Sequence, residues 1–93
     1  MLSKIKIGYQ NYDVIEVECV NKYEPRKGEI DYFSRQIRID RDMTVEDKTE
    51  TLLHEIIHGL DEFMGIGLKE EQVRKLGAGL AMVLGDNPDL LGT

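Results

Sequence analysis

Polar and apolar residues alternate along the first part of the chain. "KIKIGY" and "YDVIEVECV" alternate polar and apolar positions and carry β-branched residues, the period-2 pattern of half-buried strands. Gln10-Asn11 lies between them, so a hairpin turning there is expected. "NKYEPRKGE" has Pro25, Gly28 and mixed charge without a period, and reads as a polar connection. "EIDYF" and "QIRID" predict a second hairpin that turns near Ser34-Arg35, with Ile37 and Ile39 on one face and Arg38 and Asp40 on the other. Tyr9, Tyr12 and Tyr23 read as half-buried sheet or loop residues.

From "RDMTVEDKTE" onward the apolar spacing becomes helical. Thr44 is placed to cap a helix from about Val45 to Phe63, with Asp47 in the first turn where an acid suits the helix dipole. Gly65 and Gly67 break it. A second helix follows from about Lys69 to Leu84, stopped by Gly85 and Asn87-Pro88. The fold class expected is α+β: a small, mostly antiparallel sheet in the N-terminal half, packed on two C-terminal helices.

At 93 residues the chain is one domain, residues 1–93. Its 41% hydrophobic and 32% charged residues are those of a folded soluble protein rather than a disordered one. A formal charge of −6 gives no basic face for a phosphate backbone, so nucleic acid is excluded as a direct partner. No apolar run approaches the roughly 20 residues that cross a bilayer, and "MLSKIKIGY" has no signal-peptide core. A cytoplasmic protein without a membrane partner is expected. Cys19 is the only cysteine, so any metal must be held by nitrogen and oxygen.

"TLLHEIIHGL" carries both histidines of the chain. On a helix His54 and His58 are about 40° apart and Glu55 about 100° from His54, so one ion can touch both imidazoles. Leu52, Leu53, Ile56, Ile57, Leu60, Phe63 and Met64 occupy the other side, which leaves the histidines on a separate polar stripe. This His-Glu-x-x-His pattern is that of zinc hydrolases: two imidazoles bind Zn2+ and the intervening glutamate, Glu55, is the general base. Thr51, Leu52, Ile56, Ile57, Gly59 and Leu60 meet the wider requirement for uncharged residues around the motif.

A third ligand is needed, and Met64 stands where a third histidine would be. Asp61 lies one turn further along the same helix and is badly placed to reach the ion. Glu70 and Glu71 open the second helix. If Val73, Leu76, Leu80, Val83 and Leu84 form its buried face, Glu70 sits about 80° from the centre and Glu71 points away, which favours Glu70. Gly77 and Gly79 weaken a helix by up to about 1 kcal/mol each, a cost that close approach of the two helices would offset.

The order "GEIDYFSRQIRID", "TLLHEIIHGL", "EEQVRKLGAGLAMVLGDNP", over residues 28–88, resembles small phage- and prophage-encoded zincin-like metallopeptidases distantly similar to the ImmA/IrrE group. The resemblance implies a minimal zincin whose metal ligands are His54, His58 and Glu70. It also implies a regulatory protease working in the host cytosol on a protein or peptide substrate. Zincins often bind such substrates as an added strand, and Gln36–Asp40 is the expected edge. Tyr32 and Arg38 are both candidate oxyanion donors, and the spacing selects neither. The alternative is a catalytically idle zincin-like module that binds metal or a protein partner as an antagonist.

Overall fold

The computed structural model describes residues 3–92. Four strands, β1 (Lys4–Ile7), β2 (Gln10–Val17), β3 (Gly28–Asp31) and β4 (Gln36–Asp40), are followed by α1 (Val45–Met64) and α2 (Glu70–Asp86). The fold is α+β, with the sheet packed against the helices as expected. The sheet order is β1-β2-β4-β3. Two antiparallel hairpins are joined through a parallel pairing of β2 with β4, in which Val14 faces Ile37 and Glu16 faces Ile39.

That order corrects the expected role of Gln36–Asp40. β4 is an inner strand hydrogen-bonded on both sides, so its main chain has no free edge for a substrate. Burial explains its position: Ile37 and Ile39 are both 0% exposed, at the centre of a core with Ile7, Tyr12, Val14 and Leu52. The free edges belong to β1 and β3.

The first hairpin turns at Gly8-Tyr9 instead of Gln10-Asn11, because Ile7 pairs with Gln10 and Gly8 takes the left-handed conformation (φ 63°). The second turns over residues 32–35 as expected. There the Asp31 carboxylate accepts from the Phe33 and Ser34 amides (2.9 and 3.2 Å), and Arg35 has φ 58°. Tyr12 is fully buried, whereas Tyr9 and Tyr23 are exposed, so none of the three is half-buried.

Thr44 caps α1 as expected, its hydroxyl accepting from the Asp47 amide at 3.1 Å. Gly65, at φ 64°, closes it in the left-handed conformation, and its N–H donates to the Asp61 carbonyl. α2 runs past Gly85 to Asp86 and ends at Asn87, whose amide side chain donates to the Val83 carbonyl. Its buried face also departs from the expected one. Val73 and Gly77 are buried, whereas Leu76, Leu80 and Val83 are 40–48% exposed.

Candidate metal centre

Three elements build the site. α1 supplies His54, Glu55 and His58, the start of α2 supplies Glu70, and β3 with the turn after it forms the facing wall. They enclose a cleft of about 920 Å3, which Tyr32, Thr51 and Arg74 also line.

α2 comes close enough because Gly77 has no side chain. A Cβ there would meet the Cα and N of His54 at 3.3 Å. Gly79 faces open space, so only one of the two helical glycines serves close approach. The wall is set in the same way at Gly28, where a Cβ would lie 2.5 Å from the Thr51 methyl. Asp61 fixes the connection between the helices, its carboxylate accepting from the amides of Gly67 (2.7 Å) and Leu68 (3.1 Å). The Gln72 side chain then accepts from the Lys69 amide (2.8 Å) at the start of α2. Asp61 is thus a loop anchor. The glycine pair Gly65 and Gly67, a few residues beyond it, is the sequence signal that pointed to a turn in need of one.

The result is a single carboxylate between two imidazoles. His54 Nε2 lies 2.8 Å from one oxygen of Glu70 and His58 Nε2 lies 2.8 Å from the other. Glu71 is elsewhere, paired with Lys75 at 3.2 Å. One ligand atom from each of His54, His58 and Glu70 falls within 4.8 Å of the other two. Tetrahedral ligands bound at about 2.1 Å are about 3.4 Å apart, so small outward shifts fit these three groups to one ion. Two imidazoles and one carboxylate are also the ligand types of a catalytic zinc site that keeps a fourth position open.

Glu55 is 7% exposed and does not join that set. Burial pushes its carboxyl up to about 7, helped by the negative charges of Glu70 and Glu29 and opposed by Arg26. Tyr32 also lines the cleft and donates to the His58 carbonyl at 3.1 Å. Burial pushes its phenol up to about 12, with the charge of Glu62 adding to the effect, so it remains a donor at any physiological pH. Arg38, the other expected oxyanion candidate, does not line the cleft: it donates to the Val20 carbonyl (2.9 Å) and pairs with Glu29 (3.3 Å). Spacing along the chain carried no signal for the cleft-lining Arg26, Lys27 and Arg74.

Among the described residues no helix is long and apolar enough to cross a membrane. Comparison with known proteins finds no matching family, curated protein or solved structure.

Proposed function

We propose that this chain is a zinc-dependent endopeptidase. The observation that carries the reading is the meeting of His54, His58 and Glu70 beside a buried Glu55 in one open cleft. Zinc at such a site supplies Lewis acidity, which acidifies water and polarises a carbonyl. His54, His58 and Glu70 hold the ion. Glu55 accepts the proton of the attacking water and passes it to the leaving amine, and its burial, which favours the protonated form, assists the holding of that proton between the two transfers.

The substrate segment lies along β3. The Asp40 amide donates to the Lys27 carbonyl (2.8 Å), which makes those two a hydrogen-bonded pair of the β3–β4 ladder. Alternation then turns Glu29 toward β4 and leaves the main-chain groups of Gly28 and Ile30 on the free edge beside the cleft. The resemblance to phage zincins supports a regulatory protease acting on a protein in the host cytosol, and the exposed Cys19 thiol suits that reducing compartment.

Metal content of the purified protein tests the reading. Near-stoichiometric zinc in the wild type and in Glu71→Ala, lost in Glu70→Ala, is the expected result. Wild-type protein that takes up no zinc overturns it. Glu55→Gln should keep the zinc and lose proteolysis. Biological activity unchanged in that variant favours the idle binding module instead.

A further inference from the structure

We propose that the Tyr32 phenol is the hydrogen-bond donor to the oxyanion formed during hydrolysis, and so a further catalytic residue of this cleft; the inference rests on the metallopeptidase reading. Amide hydrolysis gains most from a donor aimed at the oxygen on which charge develops. Of the two candidates that the sequence offered, Arg38 is committed to the Val20 carbonyl and to Glu29 and does not itself line the cleft. Tyr32 lines the same cleft as His54, Glu55, His58 and Glu70.

Its resting partner is one that it can leave at small cost. The His58 carbonyl, 3.1 Å from the phenol, lies inside α1 and also accepts the helical bond from four residues on, so release of Tyr32 leaves no orphaned acceptor. The backbone at Tyr32 is held instead by the Asp31 carboxylate, which ties down the next two amides of the turn. Side-chain rotation can therefore free the hydroxyl, in the cleft that it already lines, while the turn stays in place. Tyr32 directly follows β3, so a substrate strand on that edge lies beside it in the cleft that the histidines also line.

The step balances as follows. The water oxygen bonds to the carbonyl carbon, the C=O π pair moves onto the carbonyl oxygen, and the water proton goes to Glu55. Collapse restores C=O and breaks the C–N bond, and Glu55 gives its proton to the amine. Tyr32 donates a hydrogen bond throughout and keeps its proton.

The test uses zinc-loaded wild type, Tyr32→Phe and, as a comparison loss of a phenol outside the cleft, Tyr9→Phe. Zinc content is measured first. Binding of a phosphinic alanine tripeptide isostere, which is tetrahedral and anionic, is then compared by calorimetry with that of planar acetohydroxamate. Tyr32→Phe should retain zinc and acetohydroxamate affinity and lose about tenfold or more in phosphinate affinity, while Tyr9→Phe binds both as the wild type does. Unchanged phosphinate affinity in zinc-loaded Tyr32→Phe overturns the role of Tyr32 and leaves the metallopeptidase reading intact. An equal loss in Tyr9→Phe overturns the assignment to Tyr32, as does a zinc-loaded wild type that fails to bind the phosphinate. Failure of the wild type to hold zinc overturns both proposals.

Discussion

Glu55 is held in a place that suits a base and does not suit the fold. Folding raises its carboxyl from the ordinary 4.5 to about 7, so the folded chain binds this proton more tightly than the unfolded one. The associated stability is fully present below about pH 4.5 and is lost as pH rises through 7. A difference of that size corresponds to about 3 kcal/mol as an upper figure. Metal-free protein, prepared with a chelator, should therefore melt at a lower temperature at pH 8 than at pH 5. Glu55→Gln, which keeps the shape and removes the charge, should flatten that dependence and raise the melting temperature at pH 8. Calorimetry at the two pH values checks both. A wild-type melting temperature that does not fall between them would remove the stated reason for the poised base.

At the level of elements, the site depends on how closely α2 rides over α1. Gly77→Ala brings a methyl against the His54 backbone, 3.3 Å away, where the neighbour cannot rotate aside. It should destabilise the fold by about 1–3 kcal/mol and weaken zinc binding, because Glu70 moves with the helix. Gly79→Ala meets nothing and should stabilise by up to about 1 kcal/mol with zinc binding unchanged. Urea titrations of the pair, read beside zinc affinity, separate helix propensity from helix approach. Asp61→Ala tests the loop in the same spirit. Loss of its bonds to the Gly67 and Leu68 amides should cost about 1–2 kcal/mol and lower zinc affinity, although the carboxylate touches neither histidine.

The helices were legible in the sequence because their signals are local. Thr44, with Asp47 three residues on, and the glycines after Met64 act within one turn of the chain, and both ends of α1 fall at or within a residue of where they were expected. The buried face of α2 was not legible. Leu76, Leu80 and Val83 fall on the face that hydropathy selects, yet the residues of α2 that are buried are Val73 and Gly77. Hydropathy ranks a glycine low as a packing residue, whereas the two backbones approach best where no side chain stands between them.

For the molecule as a whole, zinc binding should be folding energy. Zinc free at about 100 times its Kd stabilises the native state by about 2.7 kcal/mol, and a domain of this size gains about 4–8 °C in melting temperature per kcal/mol. Addition of zinc to chelated wild type should raise the melting temperature accordingly, and Glu70→Ala should respond far less. The substrate edge belongs to the same scale. A peptide N-methylated at the position that bonds to Ile30 should lose affinity, while methylation at the next residue, which faces away, should not.

Sequence by itself determined the limits of α1, the alternation of the strands, the α+β class, and the placing of His54, Glu55 and His58 on one stripe of α1. Each of these is a short-range property, readable from period and spacing. Tertiary structure alone decided that β4 is an inner strand and β3 an edge, that Gly77 rather than Gly79 lies against His54, and that the carboxylate of Glu70, the acid the helical wheel favoured, meets both imidazoles at once. It also brought Tyr32 to His58, across 26 residues of chain. Two hairpins with the same alternation can pair in more than one order, and adjacent acids on a helix differ only in direction. Packing of the whole core resolves such choices, because the arrangement that buries Ile37, Ile39 and Val73 completely admits one order of strands and one rotation of α2.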